Sequence, residues 1–150
     1  MKRPSDRITI LMAEDDPDDR RLTLEALEEA QLDSDLRFVG DGEELMDYLT
    51  RRGRYSDPQS SPRPRLILLD LNMPRKDGRE ALLDIKSSRD LRRIPVVVLT
   101  TSRSEDDIVR SYDLGVNSYI SKPVTFDGLV DTVKTLGKYW LEIVELPAAG

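Results

Sequence analysis

The feature that most constrains this chain is an unbroken apolar run, Leu66-Ile67-Leu68-Leu69, that ends on one carboxylate, Asp70, with Pro74 close behind. Consecutive apolar residues bounded by turn signals lack the alternation of a half-exposed strand. They predict a strand buried on both faces. A second such run, Val96-Val97-Val98-Leu99, follows Pro95 and leads into Thr100-Thr101-Ser102. Doubly covered strands belong to the parallel sheets of α/β proteins, so the intervening segments should be helices.

The chain meets that requirement. Ile8 to Ala13 is a strand candidate that runs into Glu14-Asp15-Asp16-Pro17-Asp18-Asp19. Asp16 suits an N-cap and Pro17 the first helical position, so a helix should start there and carry Leu22, Leu24, Ala26, Leu27 and Ala30. Leu36 to Val39 is a short strand, and Asp41 with Glu44 forms a capping box for a helix bearing Leu45, Met46, Tyr48 and Leu49. Asp77-Gly78 opens a helix with Ala81, Leu82, Leu83 and Ile85; Ser104 and Asp107 cap another with Ile108, Val109, Tyr112 and Leu114, stopped by Gly115. Ser118 to Ser121 is the last strand, and a final helix opens near Thr125 to Asp127. The stretch from Gly53 to Pro64, punctuated by Pro58, Pro62 and Pro64, is the longest internal linker and is expected to be mobile.

Five alternations of strand and helix predict a doubly wound parallel sheet. Right-handed crossovers bring every strand's carboxyl end to one edge, where open α/β sheets bind ligands. The residues delivered there are Glu14 and Asp15, Asp70, Thr100 and Lys122. Each has a plain reading alone. Asp70 can simply open a turn, the Glu14–Asp19 run can be a solvated helix start that complements the dipole, and Lys122 can be an ordinary surface lysine.

Together they point to chemistry. Two unit negative charges about 4 Å apart repel by about 4 kcal/mol at an effective dielectric of about 20. A carboxylate cluster therefore needs protons or cations. Oxygen donors of this kind suit Mg²⁺, with Mn²⁺ or Ca²⁺ able to substitute. The composition removes the alternatives: the chain has no cysteine and no histidine, which excludes thiolate chemistry, histidine acid–base catalysis and a phosphohistidine on this chain. A carboxylate can attack a phosphoryl group to give an acyl phosphate, and such transfer is catalysed by positioning and charge neutralisation. Asp70 as nucleophile, a metal on Asp15, Lys122 on a phosphoryl oxygen and Thr100 as hydroxyl donor would meet that need.

These blocks resemble the receiver domain of two-component response regulators. The matching pieces are Glu14-Asp15, Leu68 to Pro74 with Asp77-Gly78, Val98 to Ser102, and Tyr119-Ile120-Ser121-Lys122-Pro123. The resemblance implies a flavodoxin-like (βα)5 fold with strand order 2-1-3-4-5 and phosphorylation of Asp70. It implies Asp15 and Asp70 as direct Mg²⁺ ligands, the Asn72 backbone carbonyl as a third, and Glu14 acting through water. Lys122 would pair with the phosphoryl group, and Thr100 would move towards it. Tyr119 would be the switch aromatic, otherwise a half-buried strand residue; Ser102 would influence dephosphorylation, and the bond before Pro123 would be cis. A rival, the haloacid-dehalogenase phosphatases, also uses a strand-end aspartate but wants a second aspartate where Asn72 stands.

The resemblance makes residues 1–138 the receiver domain and 139–150 a C-terminal helical or arm extension, with no output domain. The formal net charge of −6 disfavours nucleic acid as a partner. No apolar stretch is long enough for a membrane span, and the protein is expected to be cytoplasmic. The phosphoryl donor would be a sensor histidine kinase. Leu129, Val133, Leu136, Trp140 and Ile143 continue a helical seam, joined by Val144 and Leu146 before Pro147. Ordering that tail nearly cancels what its burial contributes. Trp140, Ile143, Val144 and Leu146 are therefore expected to form a dimer arm against a second copy. The tail is similar to that of stand-alone regulators paired with bacteriophytochrome kinases, which form homodimers through the last two helices and intervening strand.

Overall fold

The computed structural model describes residues 7–147. Five strands, β1 (Ile8–Ala13), β2 (Ser34–Val39), β3 (Leu66–Leu69), β4 (Val96–Thr100) and β5 (Ser118–Ser121), alternate with α1 (Pro17–Glu29), α2 (Gly42–Thr50), α3 (Gly78–Ser87), α4 (Glu105–Leu114) and α5 (Phe126–Lys138). All pairings are parallel and the order is β2-β1-β3-β4-β5, the flavodoxin-like arrangement. Ala13 lies opposite Leu69, Leu69 opposite Val98, and Thr100 opposite Ser121. That register brings the residues following β1 and β3, the end of β4 and the residue following β5 to one edge of the sheet.

The period of two along each strand divides the core. Leu11, Ala13, Ile67, Leu69 and Val98 face α2 and α3, meeting Leu45, Leu49, Leu82 and Ile85. Ile10, Met12, Leu66, Leu68, Val97 and Leu99 face α1 and α5, meeting Ala26, Leu27, Leu129 and Val133. Leu24, Leu83, Val109 and Tyr112, which the sequence suggested as inward positions, are largely exposed; Thr23 is fully buried instead, its hydroxyl satisfied by the Asp19 carbonyl.

The local signals act as expected at α1, where Asp16 Oδ1 accepts the Asp18 N–H at 2.8 Å. The α2 capping box is shifted. Asp41 accepts the Glu44 N–H at 2.8 Å, but the Glu44 carboxylate turns back to the N–H of Gly40, at 2.7 Å.

The linker after α2, expected to be mobile, carries tertiary anchors. A 3-10 turn, Gly53–Tyr55, buries Tyr55, and Ser61 is buried with its hydroxyl on the Tyr55 carbonyl at 2.9 Å. Tyr48 donates to the Pro62 carbonyl at 2.7 Å, and Arg63 donates to the Leu49 carbonyl at 2.8 Å. Tertiary anchors thus hold a segment that has little regular structure of its own.

The expected dimer arm is corrected in part. After α5 the chain makes one π-helical turn, Tyr139–Ile143, and Trp140 is buried in the protein's own α1–α5 core. Val144 and Leu146 pack against the same cluster, and Arg65 ties the Leu146 and Pro147 carbonyls at 3.0 and 3.2 Å. Only Ile143 of the four residues stays out, 64% exposed. Gly137 is not a helix breaker. It permits close approach, since a Cβ there would lie 2.6 Å from Leu27 Cδ2 and Leu32 Cδ1. Ala148 and Ala149 of the tail lie outside the described residues. No helix among the described residues is long and apolar enough to cross a membrane.

Candidate functional site

The pocket is built from strand ends. Asp70 leaves β3 with its N–H on the Ala13 carbonyl at 3.1 Å, so the β1 register places it beside Glu14 and Asp15. Lys122 leaves β5 with its N–H on the Thr100 carbonyl at 2.7 Å. Gly78 lets the β3–α3 loop fold tightly under the acid: a Cβ there would sit 2.2 Å from the Asp70 carbonyl oxygen.

Carboxylate oxygens of Glu14, Asp15 and Asp70 lie within 4.8 Å of one another. Asp70 Oδ1 accepts the Thr100 hydroxyl at 2.7 Å and the Asn72 N–H at 3.1 Å, while Oδ2 faces Lys122 Nζ at 3.3 Å. Lys122 Nζ also bonds Glu14 Oε1 closely and reaches Asp19 Oδ2 at 2.9 Å. Burial pushes the Glu14 carboxyl up to about 7, against the pull of Lys122. Burial would lower Lys122, but the hydrogen bond and charge of Glu14, with those of Asp19 and Asp70, outweigh it and hold the ammonium above its ordinary value.

The donor set fits a hard divalent cation. Asp15 is exposed and Asp70 shares its pocket, so these two can offer oxygens directly. Among the described residues no backbone donor takes the Asn72 carbonyl. Both Glu14 oxygens are already engaged, Oε1 by Lys122 and Oε2 by the Asp16 N–H at 3.1 Å.

Of the residues expected around the acid pocket, Glu14, Asp15, Asp70, Asn72, Thr100 and Lys122 come together here and two do not. The Ser102 hydroxyl turns away to Asp107 Oδ2 at 2.6 Å, and Tyr119 sits one layer out, its phenol donating to the Ser102 carbonyl at 3.0 Å. Among the described residues no peptide bond is cis, so the bond before Pro123 is trans, the ordinary preference of an X–Pro bond. Asp19, read from the sequence as a surface charge, is a Lys122 partner. Its position in the first turn of α1, after Asp15, was the available signal. Arg20 was also missed; its Nε donates to the Glu14 carbonyl at 2.7 Å and fixes the end of β1.

A doubly wound sheet whose strand ends gather three carboxylates, a hydroxyl and a buried ammonium defines an α/β domain centred on an aspartate in an acid pocket. Comparison with known proteins names the family: residues 10–134 match the response regulator receiver domain, and the chain belongs to that family. It is 49% identical over 140 residues to the response regulator Rcp1 of Synechocystis sp., covering 93% of each chain. The crystal structure of the Mn²⁺-bound form of Rcp1 superposes with a TM-score of 0.88 at 48% identity, covering 94% of this chain and 99% of that one. The crystal structure of the phosphorylated cyanobacterial phytochrome response regulator RcpA gives 0.89 at 47% identity, with 95% and 99% covered. The protein is therefore a two-component response regulator receiver, a signalling protein with a divalent-metal pocket.

Proposed function

We propose that the protein accepts a phosphoryl group on Asp70 from a sensor histidine kinase of the phytochrome class and passes the signal on as a change in partner binding. The observation that carries this reading is the double engagement of Asp70, with Thr100 on one oxygen and Lys122 on the other, beside two further carboxylates. Asp70 Oδ2 attacks phosphorus; the bond to the donor's nitrogen breaks and its electron pair leaves with the donor. Lys122 meets the negative charge on a phosphoryl oxygen, and Thr100 donates its hydroxyl to another. Asp15, Asp70 and the Asn72 carbonyl would hold Mg²⁺, with Glu14 acting through water, and the ion would supply the remaining positive charge; Mn²⁺ would serve, a reading supported by the Mn²⁺-bound form of Rcp1. Tyr119 follows Thr100 as the switch aromatic. Chemistry is confined to the protein's own phosphorylation and self-dephosphorylation.

The phytochrome assignment rests on the phosphorylated phytochrome regulator at 47% identity. We further infer a cytoplasmic receiver unit of residues 1–138 with an extension at 139–150, pairing with a second copy through α4, β5 and α5, with Ile143 at the margin. Exposed Val109, Tyr112, Val124 and Phe126 support that surface, and the acidic balance supports a role without nucleic acid or membrane. The test is Mg²⁺ with acetyl phosphate on phosphate-retarding gels: the wild type shifts and Asp70→Asn does not. Light scattering on the same samples reads the dimer.

A further inference from the structure

Arg79, at the second position of α3, ties together the two loops that rim the acid pocket. Its guanidinium grips Asp107 of α4 with two bonds, Nε to Oδ1 at 2.7 Å and Nη2 to Oδ2 at 2.6 Å. It also reaches Asn72 Oδ1 at 3.3 Å and the Leu71 carbonyl at 3.4 Å. The loop is closed from the other side, because Asp107 Oδ2 accepts the Ser102 hydroxyl at 2.6 Å and the Asn72 amide donates to Thr101 Oγ1 at 3.2 Å. Asn72 follows Asp70 by two positions, and Ser102 follows Thr100 by two. A ring of side chains therefore runs from the β3–α3 loop through α4 to the β4–α4 loop and back.

The ring occupies the Asn72 side-chain amide and the Ser102 hydroxyl. Asn72 has its oxygen on Arg79 and its nitrogen on Thr101; Ser102 gives its hydroxyl proton to Asp107 and accepts the Ser104 N–H at 3.3 Å. Either group, if free, would suit the task of orienting a water molecule for attack on a phosphoryl group at Asp70. A planar guanidinium with a bidentate carboxylate partner is the side chain best able to hold such a constraint.

We propose that Arg79 is a positioning residue that prolongs the acyl phosphate on Asp70, by keeping the Asn72 amide and the Ser102 hydroxyl turned away from attacking water. The inference rests on Asp70 being the acceptor. In hydrolysis the water oxygen bonds to phosphorus and the P–O bond to Asp70 breaks. Its electron pair returns to the carboxylate, and the water proton passes to a nearby polar group and then to solvent. Arg79→Ala frees Asn72 Oδ1 and removes the guanidinium that holds Asp107 against the Ser102 hydroxyl, whereas Asp107→Ala frees that hydroxyl and removes the anchor of Arg79; either cut loosens the ring, and hydrolysis accelerates.

The experiment loads wild type, Arg79→Ala, Arg79→Gln, Asp107→Ala and the Arg79→Ala/Asp107→Ala double variant with acetyl phosphate and Mg²⁺. After desalting, the phosphorylated fraction is followed in time, with circular dichroism on each sample. Decay should accelerate roughly three- to tenfold in each single variant, and no further in the double variant because one ring is being broken. Loading rates should stay within about twofold of wild type, which separates positioning from loss of the pocket. Decay unchanged in the folded variants, or single effects that multiply in the double variant, overturns the inference. Arg79→Gln keeps a polar side chain on the α3 surface should Arg79→Ala fail to fold. A wild type that never loads overturns the acceptor reading, and this inference with it.

Discussion

The Thr100 hydroxyl donates to Asp70 Oδ1 at 2.7 Å, joining the ends of β4 and β3 inside the acid pocket. Thr100 is fully buried, so this bond is the hydroxyl's means of staying satisfied away from water. Thr100→Val keeps the shape and removes the donor, while Asp70 Oδ1 retains the Asn72 N–H at 3.1 Å. The expected cost is about 1 kcal/mol, read by urea unfolding. Phosphorylation should then fail to perturb Tyr119, read as a lost near-ultraviolet circular dichroism change.

Lys122 carries the positive charge that lets Glu14 and Asp70 share the pocket. Lys122→Met should slow loading from acetyl phosphate by roughly a hundredfold, a size typical of losing one preorganised charge partner. The same change leaves the divalent cation as the sole counter-charge. Adding MgCl₂ should therefore raise the melting temperature more in Lys122→Met than in the wild type; a smaller rise would contradict this division of labour.

Arg79 holds the Asp107 carboxyl well below its usual range, to about 2. A carboxyl whose folded value is depressed contributes stability that is fully present above its unfolded value, near 4, and is lost as the pH falls towards the folded value. Allowing for solvent screening of a partly open pair, the contribution is on the order of 1 kcal/mol. Between about pH 4 and pH 2 the wild type should lose more stability than Arg79→Ala. Parallel stability–pH curves would argue against the pairing.

Trp140 and Ile143 separate an internal strap from an external arm. Trp140→Ala should cost about 3–5 kcal/mol in urea unfolding because it empties a site against α1 and α5. Ile143→Ala, at an exposed position, should change stability by no more than about 0.5 kcal/mol. Equal effects would mean that the tail is not seated as described.

Much of this was legible in the sequence because the signals are local. The runs Leu66–Leu69 and Val96–Leu99 identify doubly buried strands, and strand ends then place Asp70 and Thr100 at one edge without any distance being known. The caps at Asp16, Asp41 and Thr125 are equally local. What was not legible depends on pairs far apart in the chain. Nothing in the run Asp16 to Asp19 says that Asp19 alone meets a lysine from β5. Arg79 and Asp107 lie on different helices and gain their meaning only when α3 and α4 pack side by side. Weighing the C-terminal seam residue by residue overlooks that Gly137 opens the close approach to Leu27 and Leu32 while Arg65 fastens the tail.

The central claim is that the Asp70 carboxylate becomes bonded to phosphorus. Its most direct measurement treats the acetyl-phosphate-loaded protein with borohydride, which reduces an aspartyl phosphate to homoserine, and then sequences the peptides by mass spectrometry. The account predicts homoserine in place of Asp70 in the presence of Mg²⁺ and none when the cation is chelated. Homoserine at Asp15, Asp19 or another acid instead would contradict it.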